Sequence, residues 1–398
     1  MRKTWPSVRG LGTSRVRNRL AAVELVIFSG RIHMHRRTFL AAPIFAAAAG
    51  TAAAASDSLP VQASGDGIHH TPAEYAALLQ KLSSTIEPDD YSRGGVVAKL
   101  EQSVAAALGK ETAVWLSTGT LANHLAVRLL AGDRRRVLVQ QECHLFNDCG
   151  DCCQTLSGLN LMPLAPGQAT FTVDDLEREA SRGASGRVSV PIGAIQIETP
   201  VRRRNGENFD IAEMKRVSQW ARERKIGLHL DGARLFLGAA YTGVSVREYA
   251  TLFDTVYVSM YKYFNAASGA VLAGPQSLLE NLFHPRRMFG NGLSQVWPFA
   301  AVALHFFEGF PQRYAQAVAT SEKVIAALQT DSRFEVSRIP NGTNIFSLRV
   351  KGIEAQAFQR RVAEAGFILA APRNDRFLVQ VNETWVRATP QDIIARIS

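Results

Sequence analysis

The chain has 398 residues, 46% hydrophobic and 20% charged, with no internal repeat or low-complexity tract beyond residue 55. That composition excludes a disordered or fibrous protein and leaves room for a sizeable core, and four cysteines are too few for a disulfide-built scaffold. The formal charge is +10, but residues 1–55 hold nine Lys or Arg against the single acid Glu24, so +8 of it lies there and the case for a nucleic-acid partner falls away.

Residues 1–33 precede Met34 and read as a misassigned upstream segment. Arg36-Arg37-Thr38-Phe39-Leu40 opens an apolar, alanine-rich run that closes on Ala53-Ala54-Ala55. A charged start, an apolar stretch and a small-residue cleavage site make 34–55 a signal peptide, and the paired arginines give it twin-arginine character. The run is too short and too rich in Ala for a good membrane span. The expectation is an exported, periplasmic protein with no stable membrane anchor after processing. Residues 56–85 read as an N-terminal arm with a helix over 73–82. Residues 86–300 alternate strands and helices, the α/β pattern of a large domain around a mostly parallel sheet. Residues 301–398 read as a small C-terminal α/β domain.

Within the large domain, 112–116 reads as a strand and Ser117-Thr118-Gly119-Thr120 as a turn. Ala122, Leu125, Ala126, Leu129 and Leu130 then recur at helical spacing. Such a turn groups N–H donors and hydroxyls around an anion, although Ser and Thr are also ordinary helix caps. All four cysteines lie between 143 and 153. A helix from Asn147 would align Cys149, Cys152 and Cys153 on one face. A disulfide or a metal patch is open to such a cluster, but a buried small-residue face is the simpler reading. No second ligand pair with zinc spacing exists, so no metal is expected. Arg202-Arg203-Arg204 reads as a solvated loop. A strand over 226–230 ends on Asp231, and one over 256–260 delivers Tyr261 and Lys262 into a Gly-bearing turn at 265–269. The small domain offers a helix over 299–310, strands at 344–350, 367–371 and 377–381, and a helix over 354–365.

An acid and a lysine at the ends of neighbouring strands suit pyridoxal 5'-phosphate. That cofactor needs an amine to hold its aldehyde as a Schiff base, and a carboxylate to keep its ring nitrogen protonated. Ligands of such sheets gather at the C-terminal ends of the strands, where Asp231 and Lys262 fall.

The stretches Leu116-Ser-Thr-Gly-Thr-Leu-Ala-Asn123, Glu142-Cys-His144, Ile197-Glu-Thr199, His229-Leu-Asp-Gly-Ala-Arg234 and Ser259-Met-Tyr-Lys262 with Gly269 resemble the threonine aldolase and β-eliminating lyase family, fold-type I pyridoxal-phosphate enzymes. The resemblance implies Lys262 as the Schiff-base lysine, Asp231 on the pyridine nitrogen and His144 stacked on the ring. It places Gly119 and Thr120 on the phosphate, and Glu198 and Thr199 on the cofactor's oxygen side. Arg234 would sit near the cofactor phenolate or the substrate carboxylate. Arg376 would grip that carboxylate, its plain alternative being a surface strand arginine. Tyr91 and Arg93 would reach a neighbouring subunit's site in a homodimer or homotetramer. Departures fall on the substrate side. Gly67-Ile-His-His-Thr71 stands in place of the family's Arg-Ser-Asp-Thr, no second histidine occurs in Gly186-Arg-Val-Ser-Val-Pro191, and Tyr261 precedes the lysine where Ser or Thr is usual. The expected activity is cleavage of a β-hydroxy-α-amino acid to glycine and an aldehyde, with threonine a poor substrate. The alternatives are β-elimination from an amino acid with a β leaving group, or a non-catalytic binding role on the cofactor fold.

Overall fold

Among the described residues, twelve strands run in chain order as β1 (Val61–Gln62), β2 (Thr112–Leu116), β3 (Arg136–Gln140), β4 (Asn160–Leu164), β5 (Ile192–Glu198), β6 (Gly227–Asp231), β7 (Thr255–Ser259), β8 (Ala270–Gly274), β9 (Phe334–Arg338), β10 (Ile345–Val350), β11 (Phe367–Ile368) and β12 (Phe377–Gln380). The computed structural model describes residues 59–398; the signal and upstream readings of residues 1–55 lie outside the described residues. The central sheet has the order β2-β8-β7-β6-β5-β3-β4, parallel throughout except for β8, which is antiparallel to both neighbours. β5, β7 and β8 are buried at every position, as near-continuous apolar strands covered by helices on both faces must be. The mostly parallel sheet with flanking helices is the α/β, fold-type I architecture.

Register matters for the site. Glu198 pairs with Asp231 across β5 and β6, and Asp231 pairs with Tyr257 across β6 and β7. Glu198 and Asp231, the last residues of β5 and β6, therefore form one row with Tyr257 in the middle of β7. Two residues beyond β7 and its neighbour Met260 comes Lys262, and the residues after it are anchored by aromatic packing. Tyr263 and Phe264 join Phe236, Phe307 and Phe310 with ring centroids 4.5–6.3 Å apart. This cluster clamps the turn that carries the lysine.

The C-terminal part departs from expectation at three places. The helix expected over 299–310 is Trp297–Phe307, and a second helix, Phe310–Thr330, follows it directly. Gly309 at φ +67° makes the break between them. The small sheet has the order β12-β10-β9. Its third member is β9, which the sequence pattern did not reveal, rather than a strand at 367–371. Only Phe367–Ile368 of that stretch is extended, and it pairs in parallel with β1. Phe367 is buried there edge-on to Trp385, 5.7 Å between centroids. No helix among the described residues is long and apolar enough to cross a membrane.

Candidate active site

A cavity of about 290 Å³ opens over the end of the row, lined by His144, Glu198, Asp231, Arg234 and Lys262, together with Arg202, Tyr257 and Tyr261. Lys262 Nζ donates to Tyr261 Oη at 3.0 Å and to Ser259 Oγ at 3.3 Å, and lies 4.3 Å over the Tyr261 ring. Asp231 is buried. Its Oδ1 accepts the Ala233 N–H at 3.1 Å and its Oδ2 accepts Asn123 Nδ2–H at 2.6 Å. Glu198 Oε2 accepts the His144 N–H at 2.5 Å and Oε1 accepts the Arg202 N–H at 2.8 Å. Burial, and then the charge of Asp231 beside it, push the Glu198 carboxyl up to about 7.

The helix Gly119–Ala131 meets the row from one side. Thr118 caps it by accepting the Leu121 N–H, and its first-turn N–H groups have no partner within the helix. A Cβ on Gly119 would lie 2.0 Å from Tyr257 Oη, so glycine is what lets the helix start close against the cavity wall. Thr120 Oγ1 lies 3.6 Å from Cys149 Sγ. That cysteine follows a four-residue helix, His144–Asn147, which ends before it. The single helix expected from Asn147 is therefore absent. Gly150 and Asp151, both at positive φ, break the chain before a second short helix, Cys152–Ser157. All four cysteines are free thiols, three of them buried in the apolar cluster under His144.

Several residues come to the cavity that local pattern did not assign. The loop at 202–204 is not merely solvated. Arg202 lines the cavity and its Nη2 meets Asp148 at 2.6 Å, and the same carboxylate holds Arg203 at 2.8 Å and His144 Nδ1 at 3.4 Å. The N-terminal stretch, which lacked a family match, nevertheless supplies a site partner. Asp66 Oδ2 binds Arg234 Nη2 at 2.8 Å. Burial works against the Arg234 charge, and Asp66 more than offsets it, raising that guanidinium's proton affinity. The next residues lie against the lysine turn. A Cβ on Gly67 would be 2.3 Å from the Lys262 carbonyl oxygen, and the Ile68 N–H donates to Asn265 Oδ1 at 2.7 Å. An Asp-Gly in a bend carries no periodic signal, so only its motif context could have flagged it.

Two expected substrate residues are not among those lining this cavity. Arg376 is not at the cavity; it lies at the start of β12's surface, paired with Glu335 at 3.2 Å beside Arg349 and Lys351. A short antiparallel bridge joins Arg376 to Arg373 just before β12. Tyr91 is 41% exposed, with the Arg287 guanidinium 5.1 Å from its ring, and it does not line the cavity of its own chain.

The donor set fits pyridoxal 5'-phosphate. A lysine amine, a buried carboxylate in the next strand and a histidine share one cavity, and a glycine-bearing helix start abuts its wall. Among the described residues no group of three or more His, Cys, Asp or Glu is arranged to hold a metal.

Known proteins point the same way. The low-specificity L-threonine aldolase of Candida albicans is 27% identical over 227 residues, 56% of this chain and 60% of that protein. A Cochliobolus carbonum protein named alanine racemase TOXG is 29% identical over 58% of this chain and 59% of its own length. The chain thus spans about three-fifths of the length of the curated relatives it matches. A crystal structure described as an L-allo-threonine aldolase, from Listeria monocytogenes EGD-E, has a TM-score of 0.71 at 25% identity, covering 86% of this chain and 96% of that one. Residues 73–349 match the family model described as beta-eliminating lyase. A lysine and an aspartate on neighbouring strand ends, set in this sheet order and matched over that span, place the chain in the beta-eliminating lyase family.

Proposed function

We propose that the protein is a pyridoxal-phosphate-dependent carbon–carbon lyase that cleaves a β-hydroxy-α-amino acid to glycine and an aldehyde. The observation that carries this reading is the row Glu198, Asp231 and Tyr257 with Lys262 at its open end. When bound, the cofactor supplies an electron sink for a bond broken at the substrate's Cα. Lys262 would hold its aldehyde carbon through Nζ, Asp231 would keep a proton on the ring nitrogen, His144 would cover the ring, and the first turn at Gly119 and Thr120 would meet the phosphate. Arg202 and Arg234 are the cations placed to receive a substrate carboxylate, Arg234 already held in position by Asp66. His144 and the Tyr261 phenol are the groups within the cavity able to take the proton of a β-hydroxyl. The relatives named as threonine aldolases favour aldol cleavage over β-elimination.

The test has two parts. Borohydride reduction and peptide mass spectrometry should place the cofactor label on Lys262. A panel of threonine, allo-threonine, phenylserine, serine and cysteine, in both hands, should yield glycine and an aldehyde from several β-hydroxy amino acids, with threonine poor. Pyruvate from serine or cysteine with no glycine from the others would overturn the aldolase reading. Assembly as a homodimer or homotetramer, with Tyr91 and Arg93 reaching the neighbour's site, and export through the signal at 34–55 belong to the same proposal.

A further inference from the structure

Behind Asp231 runs a line of buried polar groups that the reading above does not use. Asn123 reaches across from the helix Gly119–Ala131, and its Nδ2–H donates to Asp231 Oδ2 at 2.6 Å. Its other amide atom, Oδ1, lies 2.8 Å from His229 Nε2, and His229 Nδ1 lies 2.9 Å from Thr255 Oγ1. Asn123, His229 and Thr255 are each fully buried. His229 and Thr255 are register partners on β6 and β7, and His229 precedes Asp231 by two residues, so it shares that residue's face.

The hydrogen positions follow from one end. An ionised carboxylate only accepts, so the Asn123 amide must turn its NH₂ to Asp231 and its oxygen to His229. His229 Nε2 must then carry a proton. Burial lowers the His229 pKa to about 3, so the ring is neutral and Nδ1 is left to accept the Thr255 hydroxyl proton. The titratable and charged groups that share the cavity with Asp231 are Glu198, Tyr257, Lys262, His144, Tyr261, Arg202 and Arg234, and the charge of Asp231 helps to raise Glu198.

We infer that Thr255, His229 and Asn123 are a positioning relay that holds the Asp231 carboxylate ionised and aimed into the cavity, so that His229 and Asn123 control the reaction without touching substrate. The inference rests on the cofactor reading of the same site. Each link has its donor and acceptor matched, and a half-satisfied buried chain would cost more than an apolar one. Orienting partners of this kind fix the geometry and basicity of the group they hold.

The test uses the cofactor-loaded enzyme and three variants: Asn123→Leu, His229→Leu and His229→Gln, the last keeping an N–H donor near the Nε2 position. The readouts are cofactor retention on dialysis, the pH titration of the bound cofactor's visible absorbance, and kcat separately from KM. Asn123→Leu and His229→Leu should weaken retention by roughly tenfold or more, the worth of a hydrogen bond to a charged group. They should displace the absorbance titration by roughly one pH unit, the mark of a tenfold change in the ionisation balance, and lower kcat more than they raise KM. His229→Gln should restore most of each. A titration unmoved in both leucine variants overturns the relay, even if thermal stability falls. Should His229→Leu fail to fold, Asn123→Leu read against His229→Gln decides alone. Wild-type protein that takes up no cofactor at Lys262 would overturn the functional reading and the relay with it; uptake with an unmoved titration overturns the relay only.

Discussion

At the scale of single residues, Asp231 and Lys262 were legible because both lie at the ends of apolar strands, where a charge needs a reason. Asp231→Asn should leave the fold intact and lower kcat by roughly a hundredfold or more, since a neutral amide cannot hold the ring nitrogen protonated. The loss should sit in kcat rather than KM; near-normal turnover would make Asp231 structural. Glu198 yields a pH prediction. Its carboxyl titrates higher in the fold than in the unfolded chain, so the protonated form favours folding. That contribution is complete below the ordinary carboxylate range and is lost as pH rises through about 7. The cofactor-free wild type should therefore lose melting temperature between pH 5 and pH 8 relative to Glu198→Gln. Parallel curves for the two proteins would mean that Glu198 does not titrate there. Arg202 was not legible at this scale. A run of three arginines looks like solvent-facing charge until the turn after β5 brings the first of them over the cavity.

At the scale of elements, the strand–turn–helix at 112–131 was readable in detail because its apolar period changes from strand to helix at the hydroxyl-rich turn. β2 spans the expected residues, and the helix begins at Gly119. Gly119→Ala puts a methyl group 2.0 Å from Tyr257 Oη. The helix start must then shift, at a cost of roughly 1–3 kcal/mol. Calorimetry should show the cofactor-free protein destabilised, and equilibrium dialysis should show weaker cofactor binding; retention of both would mean the helix start has slack. The pairing of β1 with β11 was not readable, because each has only two residues and its partner lies about three hundred positions away. That pairing is what carries Asp66 to Arg234. Asp66→Asn should leave the half-buried Arg234 guanidinium without its carboxylate and lower stability by roughly 1–3 kcal/mol, with a parallel rise in KM. Denaturant unfolding checks the first and steady-state kinetics the second.

At the scale of the whole molecule, the proposed export is tested apart from the proposed chemistry. Changing Arg36 and Arg37 together to Lys should leave a cofactor-loaded precursor in the cytoplasm, read by fractionation and by the protein's visible absorbance. Unchanged export would reject the twin-arginine signal. Residues 1–55 carry +8 of the +10 formal charge, so the mean charge of the chain says little about the partners of the rest. The C-terminal sheet resisted reading for a different reason. β9 is buried only at Phe334 and exposed at its far end, so its alternation is too weak to mark a strand.

The threading of residues 61–67 also fixes when the site can form during synthesis. β1 is held by β11, the Gln62 N–H by Thr384 Oγ1 at 2.9 Å, and the Gln62 carbonyl by Asn382 Nδ2 at 2.9 Å. A nascent chain that has just released Lys262 from the ribosome already has its amine, its aspartate and its arginine. It lacks the strand and side chains that seat Asp66. Closure must await residues near 384, well over a hundred positions after Lys262 in synthesis order, and contacts of such sequence separation form late. Translation halted before residue 367 would give a chain that carries Lys262, Asp231 and Arg234 without the strand that pairs with β1.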